Sequence, residues 1–341
     1  MTRYPLIAVL AAWLVSNAAA EELHLYNWGD YINPQILGRF TEESGIKVSL
    51  DVYGSNEEML AKLQAGATGY DLVFPSVHMH DSMAALGLLE KTHINQSEGF
   101  KNIDTAFLRA KSDPKGEYCL PYAWGTVGIF YNKSQVSKPI ESWADFFAEA
   151  QLGKKVTMLD DVRETLGVGL IVNGKSVNSH NAEDLKQATD WLLQRKPLIS
   201  AFTYDVQALV ASGDVAAAHF FVGTSLIYAK SDPDNLFVVI PEEGATLYQE
   251  DMCMLKSAPN KENAKRFMEF FLRPEIAAMN AAQQMNGTIN RAAIALLPAE
   301  LRDNPQINPP EKVRAKLQIF EDLGRDLRQY DRAWTRVRTA D

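Results

Sequence analysis

Past residue 20, apolar side chains along the chain switch repeatedly between the spacing of strands and the spacing of helices. Leu23 to Asn27 and Lys47 to Tyr53 predict strands. Between them, Pro34 to Glu43 predicts a helix stopped by Gly45. Ser55 and Glu58 form a capping-box pattern ahead of a helix that runs through Leu63 and ends at Gly66. Asp71 to Pro75 predicts a short buried strand. This βαβαβ order predicts a mostly parallel sheet with helices on both faces. Tyr118 to Asn132 is a long apolar run, and Val156 to Leu159, Leu198 to Phe202, Ala216 to Phe221 and Phe237 to Ile240 predict further strands. A helix is expected over Ala182 to Gln194, and another over Asn260 to Leu272 behind a strand around Asp251 to Met254. The stretch from Pro310 is charged and helical in pattern. No segment has the composition of a flexible linker, so domains are expected to be joined by strand crossovers.

The first twenty residues change the picture. Arg3, the apolar run Leu6 to Val15 and the small residues Ala18 to Ala20 have the layout of a cleaved export signal, with an apolar run too short to span a bilayer. The expectation is a soluble, exported chain, with no cysteine placed to carry a lipid anchor. About 320 residues then remain, more than one core comfortably organises, so two domains are expected. Formal charge is 34 minus 43, or −9, and becomes −10 once Arg3 is removed. An acidic chain without a basic cluster is a poor partner for nucleic acid or anionic membrane. Cys119 and Cys253 are the two cysteines; an exported protein can bridge them if the fold brings them together.

Candidate chemistry is concentrated in Trp28-Gly29-Asp30-Tyr31, directly after the first strand. Strand ends in open α/β sheets hold ligands. Two aromatic faces beside a carboxylate suit a desolvated organic cation, whereas the alternative is a core Trp28 and Tyr31 with Asp30 capping a helix. Gly169 to Ser176 matches the phosphate-loop pattern GxxxxGK[ST], but it falls at the end of a predicted helix, Arg163 to Val172, with no helix after it to receive a phosphate. His78-Met79-His80-Asp81 is expected in a surface loop, and the other histidines (24, 93, 180, 219) are scattered, so no metal or cofactor is expected. No nucleophile motif marks an enzyme. Asp161 and Glu164 lie three apart after a strand, as helix caps or as two groups facing one cleft. Glu250-Asp251 interrupts an otherwise apolar strand, which calls for a partner.

The ordered set Trp28-Gly29-Asp30-Tyr31, Ser55-Asn56-Glu57, Tyr70 to Ser76, Pro121 to Thr126, Asp161 to Glu164, Asp251-Met252 and Arg332 to Thr335 resembles the periplasmic polyamine-binding proteins of ABC importers, nearest the putrescine- and spermidine-binding members. The resemblance spans the mature chain. It implies an α/β, two-lobed periplasmic-binding-protein fold of type II, each lobe a mostly parallel sheet flanked by helices, joined by two strand crossovers. The lobes implied are 21–132 plus 252–295 and 133–251 plus 296–341. The ligand site implied is Trp28, Asp30 and Tyr31 as a first-lobe clamp, Ser76 as a hydroxyl contact, Glu164 as an amine-binding carboxylate, Phe221 as an aromatic platform and Asp251 as the central carboxylate. Four positions depart from the family: Gly29 for a Ser or Thr, Thr224 for an aspartate, Gln249 for an aromatic residue and Asn286 for a tyrosine. The same topology would set the strand of Cys119 beside the strand of Cys253, close enough to bridge.

The resemblance therefore implies a non-catalytic receptor without cofactor, monomeric and periplasmic, that captures a small cationic amine and hands it to an ABC permease. The departures leave the ligand open between a polyamine held less tightly and another cation richer in hydrogen-bonding groups, such as agmatine. A membrane sensor in place of the permease is the alternative output.

Overall fold

The computed structural model describes residues 21–340; the expected export segment, 1–20, lies outside them. The described residues form ten strands: β1 (Glu22–Trp28), β2 (Lys47–Tyr53), β3 (Leu72–Val73), β4 (Cys119–Asn132), β5 (Val156–Met158), β6 (Ile199–Phe202), β7 (Ala217–Phe221), β8 (Leu236–Val239), β9 (Ala245–Met254) and β10 (Leu317–Ile319). Around them pack α1 (Pro34–Ser44), α2 (Asn56–Gln64), α3 (Val77–Ala85), α4 (Trp143–Gln151), α5 (Val162–Val172), α6 (Ala182–Arg195), α7 (Gln207–Ser212), α8 (Val222–Ala229), α9 (Lys261–Phe271), α10 (Pro274–Gln284) and a C-terminal helix, Leu327–Thr339. No helix among the described residues is long and apolar enough to cross a membrane.

Local chemistry sets the element ends. Asn33 accepts from the Gln35 amide at 3.0 Å and Pro34 supplies a preset first turn, so α1 starts there; Gly45, at φ 77°, ends it in the left-handed conformation. Ser55 accepts from the Glu58 amide at 3.1 Å, while the Glu58 carboxylate accepts from Gly54, one residue earlier than a strict capping box requires.

Strand order runs β2-β1-β3-β9-β4-β7-β5-β6. Pairs at the outer edges are parallel, as βα units dictate, and β9–β10 is parallel too. Where β4 and β9 enter, the pairing is antiparallel. All fourteen residues of β4 are buried, because the strand serves two cores in turn. From Cys119 to Thr126 it pairs with β9; from Val127 to Tyr131 it pairs with β7. One core gathers Leu25, Phe74, Met252 and Phe267, and the other gathers Ile129, Trp143, Phe146, Leu166 and Val337.

The pairing of β4 thus changes at Thr126/Val127, ahead of the expected lobe bound of 132/133. On the return, Leu247 already belongs to the first core, ahead of the expected 251/252. A uniformly apolar strand does not announce where its partner changes, so the sequence pattern could not place either point. Two further differences concern local structure. The charged stretch after Pro310 is interrupted by β10, which pairs with Ala245 to Leu247. His78 to Asp81 forms the start of α3 and not a surface loop, and His80 is 1% exposed.

Candidate functional site

β9 is the floor on which both lobes meet. Its side chains alternate between faces, and each face has its own partners. Thr246, Tyr248 and Glu250 make contacts on the side where the lobes face each other. Gln249, Asp251 and Cys253 point into the first lobe.

Glu250 is 5% exposed and accepts from the Tyr31 hydroxyl at 2.7 Å and from Ser76 at 3.4 Å. Asn56 donates to Ser76 at 3.0 Å, which holds that hydroxyl in place. Tyr248 donates to Asn286 Oδ1 at 3.0 Å, and the Asn286 amide lies 3.5 Å from the Tyr31 hydroxyl. Tyr248 can lie across β4 because its partner there is Gly125, where a Cβ would sit 2.3 Å from the phenolic oxygen. From the second lobe, Phe221 meets the Tyr248 ring at 5.6 Å and Tyr204 faces Phe221 at 6.5 Å, nearly parallel. Gly223, in the first turn of α8, abuts Asn286 so closely that a Cβ would collide with its oxygen at 2.1 Å.

The second lobe adds two carboxylates. Asp161 caps α5, accepting from the Arg163 and Glu164 amides, and takes the Tyr204 hydroxyl at 3.0 Å. Glu164 is 5% exposed and accepts from Thr246 at 2.5 Å. Its neighbour Arg163 turns away toward Val177 and Asn178. Among the described residues, no Lys or Arg forms an ion pair with Asp30, Asp161, Glu164 or Glu250. Burial pushes the Glu250 carboxyl up to about 8 against the lowering pull of the Tyr31 hydrogen bond, with Asp251 adding to the rise. Burial likewise lifts Glu164 to about 8, helped by Asp161 and opposed by the Thr246 bond and by the charge of Arg163. The Tyr31 phenol is held well above its usual range by burial and by Glu250. The site is a desolvated acidic crevice that becomes anionic only as its carboxyls lose their protons, and among the described residues neither Glu164 nor Glu250 has an ion pair.

Of the residues singled out by sequence, Tyr31, Ser76, Glu164 and Phe221 fall in this one connected group. Trp28 stands half-buried beside it: its indole N–H donates to the Phe74 carbonyl at 2.8 Å and its ring rests on Tyr53 at 4.8 Å. Asp30 is exposed on the same turn, at φ 53°, with no hydrogen bond or ion pair to a described residue. Thr224 lies half-buried on α8 without a polar partner among the described residues.

Asp251 and Gln249 do not belong to the group, which corrects the expected assignment. The Asp251 carboxylate bonds to His80 Nδ1 at 2.8 Å and accepts from Gln249 at 2.8 Å; Gln249 also donates to the Phe107 carbonyl. A one-residue offset in β9 reverses the face of every side chain, so the carboxylate in the crevice is Glu250 and the ring is Tyr248. The expected loss of an aromatic wall at Gln249 therefore does not occur. The signal was present: Asp251 stands two residues from Cys253, and a strand places such residues on the same face. Cys253 is disulfide-bonded to Cys119, its directly opposite partner in β4. Tyr204, which completes the second-lobe wall, carried no sequence signal because it sits in a loop far from any other site residue.

Residues 35–309 match the family described as bacterial extracellular solute-binding protein. The chain is 35% identical to the putrescine-binding periplasmic protein PotF of Escherichia coli K12, over 97% of this chain and 95% of that one. It is 31% identical to a putrescine/agmatine-binding protein of Pseudomonas aeruginosa PAO1, over 96% of this chain and 94% of that one. Among solved structures, the spermidine/putrescine ABC transporter substrate-binding protein PotD of Streptococcus pneumoniae superposes with a TM-score of 0.84 at 33% identity, over 93% of this chain and 98% of that one. These likenesses carry the two-lobed fold with them.

Proposed function

The chain belongs to the bacterial extracellular solute-binding proteins, and from that premise we propose that it captures a small di- or polyamine between its lobes in the periplasm and delivers it to the permease of an ABC importer. It does so as a monomer and a binding protein, not an enzyme. The observation that carries this reading is the pair of buried carboxyl groups, Glu250 from β9 and Glu164 from α5, with rings beside them and no ion pair to either among the described residues. An ammonium group satisfies such a carboxylate through charge-assisted hydrogen bonds. The faces of Trp28, Tyr31, Tyr248 and Phe221 supply the apolar and cation–π contact that a methylene chain with charged ends requires. Asp30, exposed on the turn after β1 and without an ion pair to a described residue, serves the outer end of the ligand. Proteins similar to this chain carry the names putrescine-binding, putrescine/agmatine-binding and spermidine/putrescine-binding.

Capture is a population shift. A cation that touches the Tyr31–Glu250 side and the Glu164–Phe221 side at once favours the conformer in which the lobes meet, by its difference in affinity for the two states. A melting screen with putrescine, cadaverine, agmatine, spermidine, spermine and neutral amino acids tests the reading. The expected result is a concentration-dependent rise in Tm with one amine class, since ligand at a hundred times Kd stabilises by about 2.7 kcal/mol. A flat response to every amine at millimolar concentration overturns it.

A further inference from the structure

We propose that, when its disulfide is reduced, the protein holds one soft d10 metal ion through the thiolates of Cys119 and Cys253 and Nε2 of His80. These three groups lie in the first-lobe core, on the face of β9 opposite the crevice. Their ligand atoms all fall within 4.8 Å of one another. The two cysteines are directly opposite in β4 and β9, with Cα atoms 4.4 Å apart, so both sulfurs emerge on one face of the sheet. His80 reaches that face from α3, and its Nε2 stands 3.4 Å from Cys119 Sγ.

The spacing suits coordination. Zinc bonds sulfur at about 2.3 Å and imidazole nitrogen at about 2.0–2.1 Å, so a tetrahedral angle sets those two ligand atoms about 3.5 Å apart. The imidazole already has the environment of a metal ligand. Asp251 Oδ2 receives Nδ1–H at 2.8 Å, which in the neutral ring leaves the Nε2 lone pair on the sulfur side. Gln249 in turn bonds the other oxygen of Asp251 at 2.8 Å. Metal-binding histidines characteristically hand their second N–H to a carboxylate in this way. Two thiolates and an imidazole form a soft donor set, which selects zinc or monovalent copper over magnesium and calcium. Disulfide and metal are mutually exclusive, because both use the same two sulfurs.

Reduction by a phosphine balances as follows: the disulfide takes up two electrons and two protons to give two thiols, and phosphorus becomes the phosphine oxide with the oxygen of one water. A divalent ion then displaces the two thiol protons. The test uses the full chain, reduced without oxygen and titrated with cobalt(II) as the spectroscopic probe, then with zinc. The expected result is one equivalent of cobalt giving a thiolate-to-cobalt charge-transfer band that zinc abolishes. The oxidised chain gives no such band. Cys253→Ser loses it, His80→Ala weakens binding at least tenfold, and Asp251→Asn weakens it by about 10- to 100-fold as an outer-shell change. Circular dichroism monitors folding throughout. A reduced, folded chain without the band overturns the proposal, and so does a band unchanged in His80→Ala. Should reduction unfold the chain, cobalt must restore the fold; failure to do so also overturns it. None of these readouts depends on amine binding.

Discussion

Glu250 and Asp251 are adjacent in sequence and almost equally buried, at 5% and 3% exposure, yet they lie on opposite faces of one strand and in opposite circumstances. Asp251 has a potential cation of the protein's own in His80, with a glutamine amide on its other oxygen. Burial opposes the charging of that imidazole, but Asp251 and the more distant Asp113 and Asp81 outweigh it and raise its pKa. Among the described residues, the Glu250 carboxyl has only hydroxyl partners, Tyr31 and Ser76. The lesson is that burial alone does not mark a functional carboxylate. A buried acid whose charge is answered within the fold acts as a strut, and one whose charge is left unanswered is kept for a visitor.

The largest expected effects come from neutralising the two acids separately. Asp251→Ala leaves His80 buried without its counter-charge, and breaking a buried pair costs about 3–5 kcal/mol of stability. Chemical denaturation is expected to show that loss, with amine binding retained by the folded fraction. Glu250→Gln is expected to do the reverse: a melting temperature of the free protein unchanged or raised, and cation affinity down by about 2–5 kcal/mol in titration calorimetry. If Asp251→Ala abolishes binding while the free protein keeps its Tm, the assignment of the two faces is wrong.

Next in size is the dependence on pH. Glu164 and Glu250 both titrate near 8 in the folded protein, against about 4.3 for an unfolded glutamate. Between those values the free fold binds protons that the unfolded chain releases, so stability falls as pH rises from about 5 toward 8. His80, with its raised pKa, acts in the same direction. Cation binding has the opposite sign, because it needs the carboxylates ionised. Melting curves across this range are therefore expected to show the shift caused by amine growing with pH while the baseline Tm declines. Parallel curves with and without amine break the comparison.

The smallest effect concerns the rings. Phe221→Leu keeps apolar bulk but removes the aromatic face beside Tyr248, which is worth about 0.5–2 kcal/mol toward a cation. Calorimetry is expected to show affinity reduced by that amount, and a neutral effect removes Phe221 from the site.

Much of the fold was legible because its signals are local. Asn33, Pro34 and Gly45 bound α1, Ser55 opens α2, and the long apolar run at β4 is a strand throughout. What was not legible depended on pairing. The point at which β4 leaves β9 for β7 is set by its neighbours, and nothing in Thr126 or Val127 reports it. The site divides along the same line. Tyr31, Ser76, Glu164 and Phe221 sit at strand-to-helix turns, where position along the chain fixes position in space. Choosing between Glu250 and Asp251 required the register of β9, and only Cys253 held that information in the sequence. The surroundings of His80 have no local signature, because its neighbours at 119, 251 and 253 are remote along the chain.

The unbroken burial of β4 has a consequence for how the molecule is built. A strand whose first eight residues pair with β9 and whose remainder pairs with β7 ties assembly to the order of synthesis. The ribosome delivers β1, β2, β3 and Cys119 to Thr126 early, but β9, which stands between β3 and β4 in the sheet, emerges only after β5 to β8, so the first sheet is completed by the last long strand to be made.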